Sequence, residues 1–220
     1  MKLSIRCGIP LLIWSGLVAA EPRWIKIESP NFEIYSTAGE RSTRDTLRHF
    51  EQVRAFFVQA LLGGVSKRFP VRIVAFGSKK DYEPYRFNEF ASAYYHPGTE
   101  RDYIVMSETG IDTFPIAVHE YMHLVMRHAD LNFAPWMNEG FAELYSTLKP
   151  MGDQVLIGSL IPGRVRALRE DKWIPLSVIL AADRDSPYYN EKARAGSLYN
   201  EGWALIHMLS LSKDSSNSTI

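Results

Sequence analysis

The chain has 220 residues, with 25 Lys and Arg, 25 Asp and Glu, and 46% hydrophobic residues. This length fits one domain, or two small ones that share a cleft, and the hydrophobic content excludes a disordered or collagen-like chain. The zero formal net charge gives no electrostatic reason to expect nucleic acid or an anionic membrane surface as a partner, and the single cysteine excludes a disulfide framework and a multi-cysteine zinc site.

The first twenty residues are typical of a cleavable export signal. Lys2 and Arg6 form a short basic start, a mostly apolar run follows, and the small residue Ala20 stands where a signal peptidase would cut. A buried first helix is the alternative. A permanent membrane span is disfavoured, because the apolar run is shorter than the roughly 20 residues that a bilayer requires. We therefore predict a signal peptide over 1–20 and an exported chain over 21–220, periplasmic or secreted, with no stable membrane span after cleavage.

Residues 21–110, the first half of the mature chain, alternate strand and helix patterns. Apolar residues at every second position predict half-buried strands, and apolar residues at three-to-four spacing predict an amphipathic helix. In chain order, the predicted elements are strands at 24–27 and 32–35, a helix at 43–62 that ends at Gly63-Gly64, and strands at 71–76 and 103–106.

Residues 111–220 carry mainly helical patterns. The predicted helices run from Pro115 to about His128, from near Met137, from Pro175, and from about Ser197 to Leu211. Three arginines between the second and third of these helices, Arg164, Arg166 and Arg169, are interpreted as part of a solvated face. The whole predicts an α+β domain, in which a small mixed sheet with helices is followed by a helical lobe and a cleft separates the two.

The segment from His119 to His123 has the sequence His-Glu-Tyr-Met-His, which is the His-Glu-x-x-His pattern. It lies inside a predicted helix, where residues four apart share one face, so His119 and His123 can both direct a ring nitrogen at one metal ion. Glu120 can then reach a water on that metal without being a ligand itself. Two imidazoles, an open position and a carboxylate base are what zinc-dependent hydrolysis requires. The alternative is that these are ordinary helix-surface residues.

A second segment, Trp136–Leu144, supplies a candidate third ligand. This segment follows His123 at a separation that allows a loop and then a second helix packed against the first. A carboxylate early in that second helix can complete the metal site.

These two segments together resemble the gluzincin clan of zinc metallopeptidases. The Asn-Glu-Gly-Phe-Ala run is similar to that of aminopeptidase-N-like members, and the short spacing is similar to that of peptidase MA-like bacterial proteins. The resemblance implies a thermolysin-like catalytic domain with one zinc ion per chain, with Glu139 as third ligand. It also implies that Glu143, one turn later, orients the first histidine. Glu143 as a solvated helix residue is the alternative.

A metzincin-type third ligand is not available. That pattern needs a glycine three residues and a histidine six residues after the second histidine, and those positions hold Met126 and Ala129. His128 lies on a different helical face and is interpreted as a surface or packing histidine.

The resemblance extends to the last predicted helix. Tyr199-Asn200-Glu201-Gly202 is similar to the Tyr-x-Lys-Gly helix of aminopeptidase-N-like enzymes, and this implies that Tyr199 donates a hydrogen bond to the oxyanion of the reaction. Glu201 stands where the family often has lysine. An aromatic anchor that packs the helix is the alternative role for Tyr199.

The amine-anchoring Gly-x-Met-Glu-Asn run of the aminopeptidases is absent from the sequence. The corresponding region, which begins at Tyr94, contains instead a candidate edge strand that could pair with a substrate backbone. The resemblance therefore implies peptide hydrolysis without aminopeptidase specificity.

We predict an exported zinc-dependent peptidase that acts on a peptide or protein substrate. A first alternative is a metal-bearing peptide-binding module with little or no hydrolytic activity, which the missing amine anchor favours and the intact Glu120 disfavours. A second alternative is an exported structural domain without a metal.

Overall fold

The computed structural model describes residues 23–60, 71–88, 91–190 and 192–212. The predicted export signal and the predicted helix end at Gly63-Gly64 lie outside these ranges. No helix of the described ranges is long and apolar enough to cross a membrane.

The architecture is mixed α+β, with a five-stranded sheet, a two-stranded hairpin and several helices. The strands are β1 (Ile25–Glu28), β2 (Phe32–Ser36), β3 (Val71–Ala75), β4 (Ala93–His96), β5 (Asp102–Met106), β6 (Lys149–Met151) and β7 (Gln154–Leu156). The helices are α1 (Glu40–Ala60), α2 (Lys79–Tyr82), α3 (Phe114–His128), α4 (Pro135–Ser146), α5 (Pro162–Glu170), α6 (Leu176–Ala181), α7 (Pro187–Asn190) and α8 (Lys192–Leu211).

The five-stranded sheet has the order β1-β2-β3-β5-β4. Its three central strands are parallel, and β1 and β4 pair antiparallel to their neighbours, so β4 forms one edge. The sequence predicts four of these strands to within about two residues and indicates β4 only as an edge-strand candidate. The pairing of β4 with β5 brings the edge strand alongside α3.

Alternation along the strands decides which face of the sheet is buried. In β2, Phe32, Ile34 and Ser36 are buried and the residues between them are half-buried, as the two-residue period of a strand requires. Helices α1 and α3 cover this face and share one hydrophobic core with it. That core determines the orientation of α3.

Burial of one side of α3 leaves the His-Glu-x-x-His motif on the other side. The buried side chains of α3 are Ala117, Val118, Tyr121, Met122, Leu124, Val125 and Met126. His119, Glu120 and His123 remain partly exposed, because they occupy the helical positions between these apolar residues. The packing of the sheet thus presents the motif to the space in front of the helical half.

The helical half has its own core between α4, α6 and α8, formed by residues such as Trp136, Ile179 and Leu198. Two glycines allow α4 and α8 to approach closely. A Cβ added at Gly140 would lie 2.5 Å from the carbonyl oxygen of Gly202, and one added at Gly202 would lie 2.5 Å from the carbonyl oxygen of Trp136. The backbones of the two helices are therefore in direct contact beside the residues of α4 that face α3.

The helical half differs from the sequence prediction in several elements. The β6–β7 hairpin and helices α5 and α7 have no predicted counterpart. Each strand of the hairpin has three residues, which is too few for a periodic pattern, and the hairpin turns at Gly152, whose φ of 68° suits glycine. Helix α8 also begins earlier than predicted, at Lys192.

His49 on α1 makes the stability of the fold depend on pH. Its ring stacks on Phe114, the first residue of α3, with centroids 4.2 Å apart, and its Nε2 is buried without a hydrogen-bond partner in the described part of the chain. Burial lowers the pKa of His49 from about 6.5 to about 4. As the pH falls, His49 therefore takes up a proton in the unfolded chain before it does so in the folded chain. The folded state keeps its full stability above pH 6.5 and loses stability progressively towards pH 4.

We expect the free energy of unfolding to fall by about 3 kcal/mol more in the wild type than in His49→Phe between pH 7 and pH 4. Phenylalanine keeps the stacking and cannot titrate, so the difference between the two proteins isolates this one group. Urea unfolding at both pH values provides the measurement. Equal losses of unfolding free energy in the two proteins would show that His49 does not cause the pH dependence of stability.

Candidate metal centre

Two turns of α3 and the first turns of α4 bring three ligand atoms together. His119 Nε2 and His123 Nε2 are 3.1 Å apart, and Glu139 Oε2 lies 3.3 Å from the first and 3.6 Å from the second. All three ligand atoms lie within 4.8 Å of one another, so these residues could hold one metal ion. The structure thus groups the three predicted ligands at a single point.

The chemistry of this group fits a divalent cation. Glu139 is only 4% exposed, and its Oε2 is buried without a hydrogen-bond partner in the described ranges. An unpaired buried carboxylate oxygen is costly unless a cation compensates it. Two neutral imidazoles and one carboxylate form a ligand set that suits zinc and leaves a position for water or substrate.

Each of the two histidines is oriented by a partner on α4. His123 Nδ1 lies 2.9 Å from Asn138 Oδ1, and His119 Nδ1 lies 3.3 Å from Glu143 Oε1. A partner on Nδ1 leaves Nε2 as the nitrogen directed at the shared point, and it fixes the tautomer that a metal ligand needs. Glu143 therefore contacts the first histidine, whereas Asn138 is a partner that sequence reasoning missed, although it directly precedes Glu139.

The charges of the group favour a cation. Burial lowers the pKa of His119, but the carboxylates of Glu139 and Glu143 raise it by more, so that pKa lies well above its usual range. Burial raises the pKa of Glu139, but His119 and His123 lower it by more, so Glu139 is ionised. A protonated imidazole offsets part of the charge of these carboxylates but leaves Glu139 Oε2 without a hydrogen bond in the described ranges, and a bound cation would compensate that oxygen.

Glu120 lies beside the ligands and faces the edge strand. Its Oε2 accepts a hydrogen bond from the backbone N–H of Tyr95 on β4, at 2.9 Å. Burial raises the pKa of Glu120, while the imidazoles and the Tyr95 N–H oppose this effect. A carboxylate whose proton affinity is raised by burial is suited to take up and release a proton.

Arg164 does not belong to a solvated face, contrary to the sequence interpretation. Its guanidinium binds Glu143 in a bidentate pair, with Nε 2.8 Å from Oε2 and Nη2 on Oε1, and its Nη1 donates to Asn200 Oδ1 at 2.8 Å. Arg166 and Arg169 are exposed, as that interpretation requires. Arg164 thus connects the carboxylate beside His119 to helix α8, and no local pattern identifies this long-range contact.

Two tyrosines from the last helices line the same hollow as the candidate ligands. Tyr199 lines the cleft, its ring centroid is 5.9 Å from Arg164 Cζ, and burial raises its pKa. Tyr189 on α7, which sequence reasoning missed, has its hydroxyl 3.5 Å from Glu139 Oε1. Burial also raises the pKa of Tyr189, so both phenols are protonated hydrogen-bond donors at neutral pH.

The ligands lie where two hollows meet. One hollow, of about 1000 Å³, is lined in part by exposed apolar side chains such as Ile116 and Leu160. The other, of about 510 Å³, has a more polar lining that includes Arg127 and Arg184. Five residues line both hollows: Tyr95, Glu120, His123, Glu139 and Tyr189. The two hollows form one open cleft across the three candidate ligands, large enough for an extended peptide.

Two other residues of interest lie outside the ligand group. His128 is not a ligand but a packing histidine, with Nε2 2.5 Å from the buried carboxylate of Asp102. Glu201, the residue that departs from the family pattern, is buried and accepts a hydrogen bond from the Ile174 N–H at 2.7 Å. This glutamate therefore fastens α8 to the segment before α6 and does not face the cleft.

No protein-family model, curated protein or solved structure matches the chain.

Proposed function

We propose that the chain is an exported zinc-dependent peptidase of the gluzincin type, with a thermolysin-like catalytic domain. The observation that carries the proposal is the convergence of His119 Nε2, His123 Nε2 and Glu139 Oε2, with Glu120 beside them. A second supporting observation is the partner on each Nδ1, because an imidazole with an acceptor on Nδ1 is prepared for metal binding through Nε2.

In this proposal His119, His123 and Glu139 hold one zinc ion. Zinc bound there would polarise the scissile carbonyl and lower the pKa of an attacking water. Glu120 accepts the proton of that water and passes it to the leaving amine, and its oxygen that is not bound to Tyr95 is available for this role. Tyr199 donates a hydrogen bond to the oxyanion that forms from the carbonyl oxygen, whereas the Tyr189 hydroxyl donates to Glu139 Oε1.

The cleft supports a peptide as substrate. Strand β4 forms the edge of the sheet, so its outer side has no strand partner within the described ranges. An extended chain laid along such an edge forms backbone hydrogen bonds irrespective of its side chains. Exposed apolar residues of the larger hollow, such as Leu160, offer contacts for apolar side chains.

A first experiment tests the metal site. The purified mature chain is expected to contain about one zinc ion, and His123→Ala and Glu139→Ala are expected to contain little. Loss of a ligand should reduce the zinc affinity by more than the roughly 10- to 100-fold that is typical when a residue hydrogen-bonded to a ligand is lost. Elemental mass spectrometry gives the metal content, and thermal unfolding with and without chelator measures the stabilisation that binding gives by mass action.

His207→Ala is the matched control. This histidine lies on α8, with Nε2 2.9 Å from the Gly158 carbonyl oxygen, and it lines neither hollow. The control should keep the wild-type zinc content. A wild-type protein that contains no metal after zinc loading would contradict both the ligand assignment and the proposed peptidase activity. A protein that binds zinc but cleaves no member of a broad peptide library would support the alternative of a metal-bearing peptide-binding module.

A further inference from the structure

Tyr95 is bound to helix α3 at two separate points. Its backbone N–H donates to Glu120 Oε2 at 2.9 Å, and its hydroxyl accepts a hydrogen bond from Arg127 Nη1 at 3.2 Å. The same hydroxyl donates to Asp102 Oδ1 at 3.1 Å. The edge strand is thus connected to α3 through both the backbone and the side chain of one residue.

Asp102 is the centre of these contacts. It is the first residue of β5, it is 1% exposed, and its carboxylate accepts hydrogen bonds from Tyr95, from the Gly98 N–H and from His128 Nε2. His128, the last residue of α3, lies 2.5 Å from Oδ2. A buried carboxylate with this many donors holds them in one arrangement, because a displaced donor would leave the charge uncompensated.

The contacts form a closed ring. From Glu120 on α3 the ring passes through the backbone of Tyr95 to its hydroxyl, then to Asp102, and returns to α3 at His128. A ring that begins and ends on one helix fixes the separation of β4 from that helix. The hydrogen bond from the Tyr95 N–H holds one carboxylate oxygen of Glu120, a residue that lines both hollows of the cleft.

We propose that Asp102, together with His128, is a positioning residue for Glu120 and acts through Tyr95. This inference rests on the proposed function, in which Glu120 is the base. Neither Asp102 nor His128 lines the cleft, so any effect of either residue on turnover must pass through another group. Tyr95 is the group that reaches Glu120, because it contacts Asp102 with its side chain and Glu120 with its backbone.

The test uses His128→Leu, since a change at the fully buried Asp102 could prevent folding. We expect kcat to fall roughly 10- to 100-fold, with zinc content unchanged and KM little changed, because a small displacement of a catalytic group is costly. His128→Gln, whose side-chain amide can still donate to Asp102, should restore most of the activity. Hydrogen exchange of the Tyr95 amide, followed by NMR, should be roughly two- to tenfold faster in His128→Leu than in the wild type.

His207→Leu is the matched control, because it removes a histidine hydrogen bond from a helix outside the ring. It should leave kcat, zinc content and Tyr95 exchange unchanged. In an active wild type, full kcat in His128→Leu would show that the positioning role is wrong. Equal impairment of His128→Gln and His128→Leu would show the same, and neither result would contradict the proposed peptidase function. If the wild type cleaves no peptide, the proposed function fails and this role fails with it, whatever the exchange rates show.

Discussion

Replacing Glu120 with glutamine is expected to reduce peptide hydrolysis by about 10²- to 10⁴-fold, the range that a general acid–base contributes. Glutamine keeps the shape of the side chain, and its carbonyl oxygen can still accept the Tyr95 N–H, but it cannot take the proton of the attacking water. Zinc content and thermal stability should stay close to wild type, because Glu120 is not among the three converging ligands. Turnover of a peptide that the wild type cleaves, measured beside metal content, tests the prediction.

Glu201→Gln is the matched control for this substitution. Glu201 is another buried glutamate that accepts a backbone N–H, from Ile174, and glutamine can accept the same hydrogen bond. The control should therefore keep wild-type turnover. Full activity in Glu120→Gln would show that the proton is carried by another group, and loss of zinc in that variant would assign Glu120 to the metal rather than to the proton transfer.

Replacing Gly140 with alanine is expected to lower the free energy of unfolding by about 1–3 kcal/mol or more and the melting temperature by several degrees. The new Cβ would lie 2.5 Å from the Gly202 carbonyl oxygen and 2.6 Å from Ile206 Cγ1, so α4 and α8 must separate. Separation also displaces Glu139 and Glu143, which lie beside Gly140 and one turn further along α4. Thermal unfolding combined with zinc titration measures both effects.

Gly196→Ala is the control in the same pair of helices. Gly196 lies on an exposed position of α8, and an added Cβ there meets nothing within 4 Å. Alanine should stabilise the helix by roughly 0.5–1 kcal/mol, because glycine has the greater conformational freedom in the unfolded chain. A Gly140→Ala protein as stable as Gly196→Ala would mean that the two helices do not depend on this close approach.

Local periodicity predicts the elements that carry the candidate site. The spacing of His119 and His123 places both on one face of α3, and the apolar residues between them determine which face is buried. The bounds of α3 agree with the prediction to within one residue, because Pro115 is suited to the first turn of a helix. Such patterns depend on neighbours within a turn or two, so they can be read without the fold.

The partners of these residues could not be predicted in the same way. Arg164 pairs with Glu143 from a helix that the sequence does not predict, and Asn138 and Tyr189 have no motif that indicates their contacts. Glu201 appears in the sequence as a departure from a family pattern, and only its contact with Ile174 explains it. Contacts between residues far apart in the chain depend on how elements pack, which no local pattern contains.

The sequence by itself therefore determined the His-Glu-x-x-His motif, its helix and the alternating strands, because these follow from the periods of helix and strand. Only the tertiary structure decided that β5 pairs with β4, and hence that Tyr95 meets Glu120 and that Asp102 meets His128. Strand order is set by how the whole sheet is buried against α1 and α3. It therefore depends on the complete core and not on any one segment. The surroundings of Glu120, which the proposed chemistry requires, arise from that packing.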